Sequence, residues 1–175
     1  FLNEKGINLP KITSEKINRD ILPVLKKMEK VGIKLDVPFV NQLAKELEEK
    51  TKKLQKDICG IAGEEFNLNS PSQMAEILFS KLKLPTKDLR KTKTGISTAA
   101  SELAKLLKSP KGAPSDHKII ENILEYRELS KLLSTYLKPL PLLVDKDGRL
   151  HTTYGQDTST GRITSSEPNL QNIPI

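Results

Sequence analysis

An apolar ladder constrains this chain most. Val40, Leu43, Leu47, Thr51, Leu54 and Ile58 follow one another at steps of three or four residues, while Glu46, Glu48, Glu49, Lys50, Lys52, Lys53 and Lys56 occupy the positions between. An α-helix gathers the first set on one stripe and leaves the charges to the other faces. Asp36 is a natural N-cap for it, and Pro38 suits its first turn. Its roughly twenty residues reach about 30 Å at the rise of an α-helix, long enough to stand out as an arm. The stripe needs a partner helix. The segment from about Ile12 to Val31 offers one, with Ile17, Ile21, Val24, Leu25, Met28 and Val31 at helical spacing and Gly32 as a stop. Pro23 lies inside that run, so the helix begins near it or bends there. The simplest expectation is an antiparallel hairpin of these two helices.

Further along, Gly60 to Asn69 breaks the pattern. Ser70, Pro71 and Gln73 then supply a cap, a first-turn proline and a capping-box partner for a short helix through Met74, Ile77 and Leu78. The loop KDLRKTKTGIST follows, with Gly95 for a turn and Ser97 or Thr98 capping a helix that carries Leu103, Leu106 and Leu107. Asp116 is expected to cap a last long helix running to about Lys138, where Pro139 and Pro141 close it. Its apolar stripe changes sides. Ile119, Ile120, Ile123 and Leu124 share one face, whereas Leu129, Leu132, Leu133 and Tyr136 lie on the opposite one. Arg127 and Lys131 continue the line of the first stripe as a cationic step, or pair at the surface with Glu125 or Glu128. LLVDKDGRLHTTYGQ reads as two strands joined at Asp147-Gly148, with Leu150, Thr152 and Tyr154 on one face. DKDG lacks the remaining ligands of a calcium loop and reads as a turn. The final stretch, TSTGRITSSEPNLQNIPI, is dense in hydroxyls and amides and has no helical or strand period, which suits a segment lying along a polar partner.

The charge distribution narrows what that partner is. Lys81 to Lys111 holds nine basic and two acidic residues, a local +7 that equals the net charge of the whole chain. Such a field attracts phosphate polymers or anionic surfaces, or serves as a solvated lysine loop. Hydroxyls and backbone amides at the following helix start suit a phosphate, or a capped surface loop. Cys59 is the single cysteine and there are two histidines, His117 and His151, so neither a disulfide nor a zinc or iron cluster is expected. No apolar run is long enough for a membrane span, and FLNEKGINLP lacks the basic start and apolar stretch of a signal peptide, so a cytoplasmic, monomeric protein is expected. With 175 residues, 36% hydrophobic, the chain can bury one core, or a domain plus a fragment of a second.

Six strings occur in order: GIKLD, AGEEFNLNSPSQ, KTKTGIST, LEYRELSKLLSTY, GRLHTTY and TGRITSSEPNLQNIP. In these the chain resembles the family A DNA polymerases of the bacterial polymerase I type. The resemblance implies a mainly α fold: residues 1–11 as a connector, 12–141 as a helical thumb with a long antiparallel helix pair, and 142–175 as a short antiparallel β-ribbon and polar tail at the start of the palm. It also implies roles. Asn67, Asn69 and Ser70, with Lys91, Lys93, Thr94 and Ser97, match thumb residues that follow the phosphates of primer-template DNA. Arg127 and Lys131 match positions facing the DNA on the last thumb helix. Arg162 matches an arginine that enters the minor groove near the primer end, and Thr164, Ser165, Asn169, Gln171 and Asn172 match polar neighbours that contact template or primer.

Ile163, Thr164 and Glu167 depart from the leucine, serine and aspartate common in the family. Family A catalysis uses two magnesium ions held by palm aspartates, and a fingers region that binds the deoxynucleotide triphosphate; those motifs lie beyond the matching region, and neither Asp157 nor Glu167 occupies a matching position. The resemblance therefore implies a DNA-directed DNA polymerase as parent, requiring Mg2+, and a fragment without catalytic residues, metal or cofactor that is inactive alone. The other readings are a stand-alone DNA-binding module, part of a single-subunit RNA polymerase, and a helical scaffold whose basic loop binds protein.

Overall fold

In the computed structural model, residues 14–92, 95–108, 114–155 and 162–173 are described. Helix α1 (Ser14–Val31) leads into strand β1 (Ile33–Lys34) and helix α2 (Val37–Ala62). Helix α3 (Pro71–Ala75) continues as a π-helical turn, Glu76–Lys81; strands β2 (Lys91–Thr92) and β3 (Gly95–Ile96) precede helix α4 (Ala100–Leu107). Helix α5 (Pro114–Leu132) runs into a second π-helical turn, Leu133–Leu137, and a 3-10 turn, Leu140–Leu142. Strands β4 (Arg149–Leu150), β5 (Thr153–Gly155) and β6 (Thr164–Ser166) complete the order. The chain is mainly helical, with short antiparallel strand pairs. It divides into two compact units, residues 1–40 with 139–175, and residues 41–138.

The second unit closes its own core. Leu54 and Ile58 from α2, Met74 and Leu78 from α3 and its extension, Leu103 and Leu106 from α4, and Ile119, Ile120 and Ile123 from α5 are buried together. Ile58, Met74, Leu78, Leu103 and the three isoleucines have essentially no exposed surface. The partner of α2 is therefore α5. Lys50 meets Glu125 at 2.5 Å and Glu48 meets Lys138 at 2.7 Å, so lower numbers on α2 face higher numbers toward the end of α5, in an antiparallel sense. These ion pairs are largely exposed and add little to stability; the apolar stripe holds the pair together. The expectation named the first helix; within the second unit the helix that meets the stripe is α5.

The first unit pairs residues distant in sequence. Ile33 stands opposite Leu150 and Lys34 opposite Arg149, and the Leu35 amide donates to the Gly148 carbonyl at 2.9 Å. The expected strand pair across Asp147-Gly148 does not form. The turn itself is present, with the Gly148 amide donating to the Asp145 carbonyl at 3.0 Å and the Asp147 amide to Asp145 Oδ1 at 2.9 Å. Its outgoing strand finds β1 instead, because β1 already presents unpaired amides and carbonyls at the end of α1. The tail, expected to have no regular structure, supplies β6: Thr153, Tyr154 and Gly155 pair with Ser166, Ser165 and Thr164. Helix α1 passes through Pro23 without ending and packs on β5.

Leu22, Val24, Met28, Val31, Ile33, Phe39, Leu142, Leu143 and Ile173 are the large hydrophobic residues exposed among the described ones, and all of them lie in the first unit. No helix among the described residues is long and apolar enough to cross a membrane. Cys59 is half-buried and free.

Candidate nucleic-acid interface

Two groups of expected contact residues form, one in each unit. In the second, the turn before α3 is built from its own polar side chains. Asn67 Oδ1 accepts from the Asn69 amide at 2.9 Å, and the Asn67 amide donates to Gln73 Oε1 at 2.7 Å. Ser70 caps α3, accepting from the Gln73 amide, and shares a 3.0 Å hydrogen bond with Ser72. Asn67 and Ser70 thus shape the turn with their side-chain oxygens, and the exposed Asn69 stands beside them.

This turn faces the β2–β3 ribbon across an open cleft of about 520 Å3, lined by Asn69, Ser72, Thr92, Ser97, Thr98 and Arg127 among others. In the ribbon Lys91 stands opposite Ile96 and Thr92 opposite Gly95; Thr92 Oγ1 donates to the Gly95 carbonyl at 2.9 Å. Lys91 is exposed; Ser97 is half-buried, and its hydroxyl accepts from the Ala99 amide at 3.3 Å. Lys93 and Thr94 lie outside the described residues. Ala99 occupies the N-cap of α4 and makes no side-chain cap bond, so neither Ser97 nor Thr98 is the cap expected from sequence. Likewise Asp116 sits in the first turn of α5, which begins at Pro114, and is not its cap.

Arg127 and Lys131 diverge. Lys131 is exposed. Arg127 is half-buried and donates to the Thr98 carbonyl through Nη1, while Nη2 lies 3.4 Å from Thr98 Oγ1. Burial pushes its pKa below the ordinary arginine value, yet a guanidinium so basic stays charged. Sequence reasoning missed Glu102, 8% exposed, whose Oε2 accepts from the Arg90 amide at 2.9 Å and which pairs with Lys105. The Lys105 ammonium, followed by the Arg90 amide, holds this carboxyl below its usual range. A signal existed: Glu102 falls four residues before Leu106 on the buried stripe of α4, where an acid needs a partner.

In the first unit the tail is knotted around Ser165. That residue is 4% exposed, and its hydroxyl lies 2.7 Å from Thr152 Oγ1, accepts from the Leu170 amide at 3.2 Å and stands 3.3 Å from the Pro168 carbonyl. Thr152, 5% exposed, is also within 2.9 Å of the Ser166 carbonyl and 2.8 Å of the Pro168 carbonyl. Gln171 is exposed, but its amide bridges the tail: Nε2 donates to the Ile163 carbonyl at 2.6 Å and Oε1 accepts from the Ser165 amide at 3.2 Å. Asn169 Oδ1 accepts from the Gln171 amide at 3.0 Å. Around this knot Arg162, Thr164, Asn169 and Asn172 are exposed. The structure therefore turns Ser165 inward and leaves its neighbours at the surface.

Among the described residues no group of three or more His, Cys, Asp or Glu side chains could hold a metal ion. What the two groups offer is a cationic, amide- and hydroxyl-bearing surface.

Residues 37–175 match the family model of DNA polymerase family A, and the chain belongs to that family. It is 48% identical over 163 residues to DNA polymerase I of Caldicellulosiruptor bescii, covering 92% of this chain and 18% of that one. It is 45% identical over 161 residues to DNA polymerase I of Geobacillus stearothermophilus, covering 91% and 17%. Among solved structures it resembles the POL domain of Pol1 from M. smegmatis in complex with DNA primer-template and dNTP, with a TM-score of 0.76 and 36% identity over 86% of this chain and 25% of that one. The chain thus spans under a fifth of the length of these two relatives.

Proposed function

We propose that this chain is the duplex-holding part of a family A DNA polymerase, a thumb over residues 12–141 followed by the start of a palm over 142–175. The observation that carries the reading is the cleft in the second unit, where Asn69, Ser97 and Arg127 converge beside the exposed Lys91. The membership in family A and the likeness to a polymerase domain solved with primer-template DNA support it. A cationic ribbon beside hydroxyls and amides suits phosphate oxygens, whose contacts give affinity and orientation without reading sequence. The exposed Arg162, Thr164, Asn169 and Asn172 suit the minor groove, where acceptors occupy similar places on every base pair. Such donors test duplex shape at a primer end while tolerating any sequence. Ser165 and Gln171 serve this surface by holding its backbone, with their own hydrogen bonds already made within the tail.

In the parent enzyme magnesium would supply the nucleotidyl-transfer chemistry on a deoxynucleotide triphosphate, and this part would keep the primer end in place. The exposed Leu142, Leu143 and Ile173 fit the start of a palm whose core further segments of the parent enzyme complete.

The experiment is fluorescence anisotropy of a labelled primer-template with the 175-residue chain across a salt series. Binding that weakens as salt rises is expected, with a slope of about 0.9 per phosphate contact. Arg162→Ala is expected to weaken binding with unchanged far-UV circular dichroism. Absence of DNA binding at every salt concentration overturns the reading; an equal loss of helicity in the variant shows Arg162 to be structural. The chain alone is expected not to extend a primer, and Mg2+-dependent extension by the pure chain would refute that part.

A further inference from the structure

We propose that Glu102 and Arg127 are positioning residues that fix the basic β2–β3 ribbon from its two ends, so that an acidic side chain strengthens the grip on an anionic polymer. The inference rests on the duplex-holding reading above. The ribbon begins where the Arg90 amide donates to Glu102 Oε2 at 2.9 Å. It closes where the Ser97 amide donates to the Arg90 carbonyl at 2.9 Å. It ends where Arg127 holds the Thr98 carbonyl, with Thr98 itself 5% exposed. Two strands of two residues each cannot hold their register alone. Their direction is set by what clamps their ends, and both clamps are charged side chains on the packed helices α4 and α5.

Lys105 completes the first clamp. Its Nζ lies 3.0 and 2.9 Å from the two carboxylate oxygens of Glu102, which keeps that buried acid ionised and aimed at the Arg90 amide. A charge-assisted acceptor of this kind holds an amide more firmly than a neutral one. The second clamp uses the planar fork of Arg127 on the carbonyl and hydroxyl sides of one residue. Arg127 thus acts on the duplex through Thr98.

Positioning and simple electrostatics predict opposite signs. Removing a negative charge beside a basic ribbon should tighten DNA binding if only the field matters. If Glu102 positions the ribbon, Glu102→Met should weaken primer-template binding by roughly 3- to 10-fold and lower the salt slope by about 0.9 for each phosphate contact that is misaligned. Met matches the buried volume, so folding is expected to survive; Glu102→Ala repeats the test should Met overpack. Glu102→Gln keeps an oxygen for the Arg90 amide and is expected to restore wild-type affinity or exceed it.

Hydrogen exchange supplies the readout that needs no DNA. The Ser97 amide is expected to exchange faster in Glu102→Met and in Arg127→Gln, with α2 unchanged. Tighter or unchanged binding by Glu102→Met, or unchanged exchange at Ser97, overturns the proposal. A wild-type chain that fails to bind DNA overturns the duplex-holding reading instead, while the exchange result still decides whether the clamps exist.

Discussion

Gly32 is the position where a single methyl group should do most damage. It follows α1, its amide donating to the Met28 carbonyl at 2.9 Å, with φ of +66°. An L-residue held there costs about 1–2 kcal/mol through its own backbone. A Cβ on Gly32 would also stand 2.6 Å from the Leu150 carbonyl oxygen and 2.8 Å from His151 Cε1. Neither neighbour can step aside freely. Leu150 is paired with Ile33, and the His151 ring lies 2.7 Å from the Glu29 carbonyl through Nδ1 and 3.0 Å from Asp145 Oδ2 through Nε2. Relieving the overlap means loosening one or two of these hydrogen bonds, each worth about 1 kcal/mol net. Gly32→Ala should therefore destabilise the first unit by about 2–4 kcal/mol. For a unit of this size that lowers its melting temperature by roughly 10–30 °C. The assay is urea unfolding followed by hydrogen exchange at the Leu35 amide, which donates to Gly148 across the same strand pair. Gly60 is the control, because nothing lies within 4 Å of its added Cβ in the last turn of α2; Gly60→Ala should stabilise by at most about 0.5–1 kcal/mol. A Gly32→Ala protein within 0.5 kcal/mol of wild type on the unfolding scale, well below the about 1–2 kcal/mol expected from the backbone alone, would refute the reasoning.

Leu103→Ala empties a site with no exposed surface at the centre of the second unit and should cost about 2–5 kcal/mol in urea unfolding; a loss below 1 kcal/mol, less than a buried methyl or two normally contributes, would mean that α4 is not part of that core. Stability of the first unit should depend on pH through His151 and Asp145. The hydrogen bond to Asp145, with the Glu29 carbonyl, raises the His151 pKa above its ordinary 6.5, so its contribution is complete below that value and fades as pH rises through the raised one. The same bond, with the Arg149 amide, lowers the Asp145 pKa from its ordinary 3.8, so its contribution is complete above that value and fades as pH falls through the depressed one. The urea midpoint should fall as pH rises above about 6.5 in wild type and stay level in His151→Asn; a level wild-type profile counts against a stabilising His151–Asp145 bond.

The helices of this chain were legible because their causes are local. The three-four ladder of α2, the stop at Gly32 and the Ser70-Pro71 start of α3 each act within one or two turns and are kept, whereas Gln73, expected to complete a capping box with Ser70, accepts from the Asn67 amide instead. The six colinear strings carried the family for the same reason, since they are read residue by residue. Partnership was another matter. Periodicity tells that α2 has a stripe to bury but not which helix meets it, and within the second unit Ile58 shares its core with the α5 isoleucines. Strand β4 was drawn to β1, with Arg149 Nη1 3.2 Å from the carbonyl of Gly32, 117 residues away, because strand pairing depends on which unpaired edge is presented.

The candidate site divides in the same way. Composition and motif indicated where the polar and cationic residues are, while only the tertiary structure decided which of them remain at the surface. Ser165 is turned inward by Thr152, and the half-buried Arg127 grips Thr98. A buried polar group must find its hydrogen bonds within the fold, and those partners come from segments that no local pattern in the chain connects.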